Sequence, residues 1–400
     1  MKNGRKDPEG QVEQPETAEV FRALVRQMAR DALLKIIEGE VESLCGRRYH
    51  PDEDAGFYRS GSTISPVYVE GRCESLRRPR VRRRLENGGS EEALLKSWQL
   101  ASDPGEWEEA MMRAVLCGVS TRKVGALREI DVRGESKSSL SRLWQKKAAV
   151  LAEEMCESDL GGFDLLVLMV DAVVLSGGLV ATVALGIDTE GAKRVLGFRV
   201  GSSENAEVCG DLLSDLRRRG LAVPPQRRLL AVLDGSMALK NGVLREFPGV
   251  LIQRCLVHKE RNIRGYLPRK HWAELAKFFQ RLRRSQGAEA GKEAADAIEA
   301  FLRDKNAQAR ASFEETGEEL LTIFRLNVPN TLHVSLLSTN AIENVFKNLR
   351  RHIGRVCRWR EETDQANLWL SSGLILASKG FRRISGHGDI EHLVRSLEAL

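Results

Sequence analysis

Four hundred residues, 42% hydrophobic and 30% charged, describe a globular chain too long for one simple core and suited to two or three domains. The formal net charge of +6 is modest, but the positive residues are clustered, which fits a polyanionic partner such as nucleic acid. Seven scattered cysteines make no secreted disulfide framework and point to a reducing cytoplasm; the hydrophilic start reads as no signal peptide; and the longest apolar run, Leu165 to Leu175, is broken by Asp171 and too short to span a bilayer.

Residues 1–18 are polar and Pro/Glu-rich and read as a disordered tail. Val20, Leu24, Met28, Leu33, Leu34, Ile37, Val41 and Leu44 then recur at helical spacing, predicting a helix over 19–46 that serves packing or dimerisation. Residues 47–90 change character. Glycines punctuate them, and their short apolar groups suggest loops and short strands. Six arginines fall between Arg77 and Arg84, and Arg77, Arg78, Arg80, Arg82 and Arg83 are candidates to follow a phosphate backbone. Such contacts give salt-sensitive affinity but little base reading; the competing view is a solvated loop. Residues 19–90 are thus expected to form a helical and Arg-rich DNA-binding or dimerisation region.

Residues 91–157 return to helix. Glu106–Cys117, a turn at Gly118 to Thr121, Arg122–Glu129 and Ser136–Trp144 have the rhythm of a helix-turn-helix. The small polar start of the last helix, with Lys137 and Arg142, suits insertion into a major groove, although any short helical hairpin looks similar. From residue 163 the period switches. Phe163–Val173, Leu179–Ile187 and Val195–Val200 predict an antiparallel meander, Ala206–Gly220 a helix, Arg228–Leu233 a strand, Ser236–Phe247 a helix and Val250–Val257 a strand. The order β-β-β-α-β-α-β predicts an α/β core over 158–265 and 336–375, interrupted by an all-helical insertion over 266–335 and followed by a tail over 376–400.

Asp171 is the sharpest anomaly, because a carboxylate inside an apolar strand is costly to bury unless paired or bound to metal. Asp234 closes a second apolar strand, before Gly235. Asp164 at a strand start and Asp188 in a turn are rivals for the first position, but neither is embedded among apolar residues. Converging carboxylates do not all stay ionised near neutral pH without a cation, and hard oxygen ligands favour Mg²⁺ or Mn²⁺; two such ions suit phosphodiester displacement. A later stretch, Leu337 to Arg360, holds one acid, Glu343, among Lys347, Arg350, Arg351 and Arg355. Glu343 lies three places after Asn340, as in a capping box, and a charged solvent face is the plain reading. That reading gives way because the two aspartates need a third carboxylate. Cys255 and His258 form a C-x-x-H pair, two ligands where structural zinc needs four, which favours a packing or DNA-positioning role.

The segments LLVLMVDAVV, LLAVLDGSMALKNGV, IQRCLVHKERNI and STNAIENVFKNLRR, with GVSTRKV, SKSSLSR and PRVRRR upstream, resemble the bacterial Mutator-like insertion-sequence transposases, DDE enzymes with a ribonuclease H-like core. The resemblance runs from about residue 19 to about residue 375. It implies that Asp171, Asp234 and Glu343 are the metal-binding triad, with 62 residues between the aspartates and 108 between Asp234 and Glu343. It implies binding to terminal inverted repeats and to target double-stranded DNA, cleavage and strand joining, and a homodimer or higher oligomer. Gly235-Ser236-Met237 departs from an Ala-His type sequence of some relatives, and Asn344 and Phe346 stand where many carry Arg and Asn. A nuclease that does not join strands and a catalytically inert DNA-binding protein are the competing readings.

Overall fold

A computed structural model describes residues 17–52, 56–69, 72–117, 137–201, 205–354, 356, 358, 359 and 363–400. The chain divides into two compact units, one reaching Leu143 apart from residues 116–118, the other running from Trp144 to the C-terminus.

The first unit opens with α1 (Thr17–Cys45). The short pair β1 (Gly46–Arg47) and β2 (His50–Pro51) follows, then β3 (Phe57–Val69), β4 (Arg72–Arg84) and β5 (Ser90–Ala93) in one antiparallel sheet. The helical expectation therefore holds for α1, but the loops and short strands expected after it are two strands of 13 residues each. Sequence patterning missed them because arginines occupy most of β4 and hide its alternation. Gly61, at φ +81°, lies where the β3–β4 register shifts, a bulge position only glycine enters without strain. Ile37, Val41 and Cys45 of α1 pack with Val67, Val69, Leu76, Val81, Leu95 and Trp98. The first half of α1 instead exposes Val20, Phe21, Leu24 and Met28. Helices α2 (Lys96–Ala101) and α3 (Gly105–Leu116) follow. The turn and second helix of the predicted helix-turn-helix, within residues 118–136, lie outside the described residues.

Helix α4 (Lys137–Glu157) leads into the second unit, which is built on a sheet of order β10-β9-β6-β7-β8. Strands β6 (Leu165–Val174), β7 (Val180–Asp188) and β8 (Lys193–Gly201) form the expected antiparallel meander. Helix α5 (Ala206–Arg218) then carries the chain across to β9 (Leu230–Leu233), which pairs parallel with β6. Helix α6 (Met237–Glu246) crosses to β10 (Leu251–Arg254), parallel to β9. Strand β6 is apolar almost throughout because both sheet faces are covered. One face packs Leu168 and Val170 against Leu212, Leu213 and Leu216 of α5 and Leu239 and Val243 of α6. The other packs Val167, Met169 and Val173 with α7 (Leu256–Tyr266) and the helices beyond it.

Those helices are α8 (Trp272–Arg284), α9 (Gly287–Arg303), α10 (Ala307–Glu314), α11 (Thr322–Arg325), α12 (Asn330–Leu336), α13 (Asn340–Ile353), α14 (Gln365–Ser378) and α15 (Ile390–Glu398). Buried Gln253 ties the insertion to the edge strand β10: its amide donates to Leu320 O at 3.1 Å and its carbonyl accepts from Ile323 N at 2.9 Å. The exposed edge is thereby closed. Two expectations are corrected. The strand predicted to reach Val257 ends at Arg254, so Cys255 and His258 open a helix instead of closing a strand. Residues 376–400, expected as a tail, include α15, whose Ile390, Leu393 and Leu397 are buried. Among the described residues no helix is long and apolar enough to cross a membrane.

The two rival aspartates have structural partners. Asp188 Oδ1 accepts from Glu190 N at 2.9 Å and Ala192 N at 2.8 Å, closing the β7–β8 turn. Asp164 accepts from the buried Arg227 guanidinium and from Thr189 Oγ1. The Arg227 hydrogen bond holds the Asp164 carboxyl below its ordinary value despite partial burial. Its stabilising contribution is therefore present above the ordinary carboxylate pKa, near 4, and is lost as pH falls through the lower folded value. Asp164→Asn is expected to cost about 1–2 kcal/mol at neutral pH, less than a fully buried pair because Asp164 is half exposed. Urea unfolding should show the gap between variant and wild type closing in acid.

Candidate active site

Asp171 sits in the middle of β6, opposite Val183 of β7, and is 8% exposed. Its Oδ1 accepts from Ala172 N at 2.8 Å. The parallel register pairs Val167 with Leu230 and Met169 with Val232. Carried two residues further, it brings Asp234 level with Asp171. Side chains at one level of adjacent strands share a face, and this face is the one that packs Met169 and Val232 against α13. Two residues 63 apart in sequence thus come to one side of the sheet, just where β9 ends.

The end of β9 is shaped by Asp234 and Gly235. Asp234 Oδ1 accepts from Ser236 N at 2.9 Å, forming a tight turn into α6. Gly235 has φ +122°, and a Cβ there would lie 2.3 Å from the Arg254 guanidinium. Arg254 is buried behind the turn, with Nε 3.4 Å from Glu319 and Nη2 3.6 Å from Glu315. Glycine at this position lets Arg254 back the Asp234 loop directly.

Glu343 enters from α13, whose Ile342, Val345, Phe346, Leu349 and Ile353 are buried while Lys347, Arg350 and Arg351 are exposed. The expected capping box does not form. Thr339 is the N-cap, its side chain makes no cap bond, and the Glu343 carboxylate turns elsewhere. His258 Nε2 lies 3.1 Å from Glu343 Oε1, and His258 Nδ1 lies 3.3 Å from Thr339 Oγ1. Thr339 N and Oγ1 both donate to Cys255 Sγ, at 3.4 and 3.5 Å. The connection is fixed by the backbone too, since Cys255 N donates to Leu233 O and Leu256 N to Leu337 O. The C-x-x-H pair therefore links the end of the sheet to the start of α13. Sequence spacing could not reveal this, because Thr339 and Glu343 lie more than eighty residues from their partners.

Electrostatics follow this geometry. The hydrogen bond with Cys255 raises the His258 pKa; burial opposes this, and the Cys255, Glu343 and Asp234 charges add to the rise. Burial alone would push the Cys255 thiol up, but hydrogen bonds from His258 and Thr339 outweigh it and leave the thiol below its ordinary value. His258 thus lies within the fields of both Asp234 and Glu343, and it lines a cavity with Asp234. Asp234, Glu343, Cys255 and His258 form one neighbourhood, and Asp171 lies level with Asp234 on the adjacent strand. Among the described residues no three His, Cys, Asp or Glu side chains are gathered as a ready-made metal cluster. The donor chemistry at the three acids, hard oxygens under a basic helix, nonetheless suits a divalent cation such as Mg²⁺ or Mn²⁺.

The remaining predicted contacts fall as follows. On β4, Arg78 Nη2 reaches Glu92 Oε1 at 2.5 Å and Arg80 Nη2 reaches Glu92 Oε2 at 2.9 Å. The Arg80 hydrogen bond holds the Glu92 carboxyl low, and Arg78 and Arg82 add to the effect. Part of the arginine charge is thus already balanced within the sheet. Arg77 is exposed, and Arg83 lies only 3.9 Å from Glu91, at the limit of pairing. Arg142 is exposed on α4; Lys137 begins that helix, with its side chain outside the described residues. Arg355 also lies outside them.

The second unit is thus a mixed α/β core with Asp171 and Asp234 level on one sheet face and the basic helix α13 packed over it. A family profile described as "Transposase, Mutator family" matches residues 5–365. Similar proteins include the transposase for insertion sequence element IS905 of Lactococcus lactis, 27% identical over 338 residues that cover 82% of each chain. The transposase for insertion sequence element ISRM5 of Rhizobium meliloti is 28% identical over 348 residues, 82% of this chain and 81% of the relative. The transposase for insertion sequence element IS256 in transposon Tn4001 of Staphylococcus aureus is 28% identical over 260 residues, 61% of this chain and 64% of the relative. The chain belongs to the Mutator family of transposases.

Proposed function

We propose that this transposase is a DDE enzyme with a ribonuclease H-like core, in which Asp171, Asp234 and Glu343 hold two Mg²⁺ or Mn²⁺ ions. The observation that carries the reading is the register between β6 and β9, which puts both aspartates at one level on the sheet face covered by α13. The strand order, an antiparallel meander extended by two parallel strands, supports the fold assignment. Such ions, when bound, activate the attacking water or 3′-hydroxyl and stabilise the leaving oxygen.

The chain's own residues do the rest. His258 orients the Glu343 carboxylate, with Thr339 and Cys255 holding the imidazole behind it. Lys347, Arg350 and Arg351, exposed along α13, bind the phosphate backbone beside the acids. The β4 arginines and Lys137 and Arg142 of α4 bind double-stranded DNA at the terminal inverted repeats and at the target. Synapsis of two ends requires a homodimer or a higher oligomer, and the apolar side chains exposed along the first half of α1 suit such pairing. The reaction takes place on cytoplasmic DNA.

The test is a cleavage and joining assay on DNA carrying the element's own ends, with Mg²⁺, comparing wild type with Asp234→Ala. Wild type is expected to cut and join, and the variant to do neither while still shifting the DNA. Cleavage without joining would instead define a nuclease. Binding without metal-dependent chemistry in the wild type would define an inert DNA-binding protein.

A further inference from the structure

The cavity beside Asp234 has a volume of about 660 Å³ and is walled by one side of α7. His258, Arg261, Asn262, Gly265 and Tyr266 line it, spaced as one helical face requires. Nothing in the roles assigned so far uses this face beyond His258. The buried cations of the lining are already paired. Buried Lys259 Nζ donates to Ser312 O at 2.7 Å and lies 3.8 Å from Glu315, which also faces Arg254. Arg261, by contrast, is exposed and has no ion pair among the described residues. Tyr266 is 46% exposed although it borders the cavity, and beyond the helix's own backbone and the adjacent residues no atom lies within 4 Å of where a Gly265 side chain would begin. The helix thus presents a free guanidinium, an amide and an uncovered aromatic ring around open space.

The size of the cavity selects the ligand. It falls within the range of roughly 300–1,000 Å³ that holds a small organic molecule. A double helix, whose major groove alone is about 12 Å wide, does not enter it. A guanidinium suits one phosphate, and an open aromatic ring suits one base face. Because Asp234 lines the same cavity, its occupant adjoins the bond at the acids.

We infer that this cavity receives one unstacked deoxynucleotide of the strand next to the reacting phosphodiester, its base on Tyr266 and its phosphate at Arg261. The inference rests on the reading of the acids as a DNA-processing site. It makes α7 a second binding element, one that grips single-stranded DNA where the phosphate-binding residues of α13 grip backbone.

Binding of the full chain can be measured by fluorescence anisotropy without divalent metal, using three probes. They are a blunt duplex, the same duplex with a short single-stranded thymidine extension, and the same duplex with an abasic extension of equal length. Wild type is expected to prefer the thymidine extension over the abasic one. Tyr266→Ala should weaken binding to the thymidine probe about tenfold and erase that preference, with blunt-duplex affinity unchanged. Tyr266→Phe should keep the preference, and Arg261→Ala should weaken both extended probes and flatten their salt dependence. Equal wild-type binding to the two extensions, or a preference that survives Tyr266→Ala, overturns the inference while leaving the DNA reading intact. Failure of the wild type to bind any probe overturns both.

Discussion

Glu343→Gln is expected to leave a folded protein that binds DNA and does not cut it. Gln matches Glu in size and still offers an oxygen to His258, so the contact at 3.1 Å survives. The buried face of α13 is untouched, and so are Lys347, Arg350 and Arg351. What is lost is one carboxylate charge at the site proposed to hold the cations. Cleavage should fall by at least about a thousandfold, equivalent to ~4 kcal/mol of transition-state stabilisation. Gel-shift affinity should stay within about twofold, because the basic residues set it. A variant that still cuts at near wild-type rates would return Glu343 to an ordinary residue of a charged helix start. Binding that falls as far as cleavage would point to a damaged fold.

His258→Ala is the second large effect. The imidazole is held on one side by Thr339 and Cys255 and touches Glu343 on the other. Without it, the half-exposed Glu343 side chain is free to take other rotamers. Groups that orient a metal ligand in this way are typically worth about 10–100-fold in activity or metal affinity. The variant is therefore expected to cut about 10–100-fold more slowly and to need more Mg²⁺ for half-maximal rate. Part of the loss should be recovered at high Mg²⁺. A residue serving only to pack the loop would lower the melting temperature and leave the Mg²⁺ requirement where it was. That outcome would remove His258 from the site.

Sequence and structure agree best where a single residue contradicts its surroundings. Asp171 is conspicuous because an acid is costly inside an apolar strand, and Asp234 because it ends one. Both expectations needed only local pattern, as did the order of strands and helices in the core. Glu343 was different. Locally it looks like a capping residue, and only the need for a third carboxylate and the family resemblance singled it out. Thr339 is the N-cap of α13, yet its hydroxyl faces Cys255 and His258, and the bond to Cys255 spans 84 residues of chain that no local rule reports. The β3–β4 ribbon was hidden for the opposite reason. Arginines every second residue satisfy a sheet face through Glu92 instead of through apolar burial, so the usual alternation is missing. The α7 face with Arg261 and Tyr266 was legible in principle. Its polar residues follow the C-x-x-H pair at helical spacing, but the pair itself reads as a strand end, which hides that His258 begins the same helical face.

The long helical insertion has a consequence for timing. Glu343 is separated from Asp234 by strand β10 and seven α-helices, α6 to α12, and α13 covers the same sheet face as α7 and the insertion helices. Until α13 docks, that face has lost much of its apolar cover, and the third acid is absent. Contacts this distant in sequence close late, after the local ones have formed. Each newly made molecule should therefore pass through a stage in which the sheet carrying Asp171 and Asp234 exists and Glu343 is not yet beside it. On the proposed reading of Glu343, a molecule at that stage binds DNA through surfaces outside α13 and does not cut it.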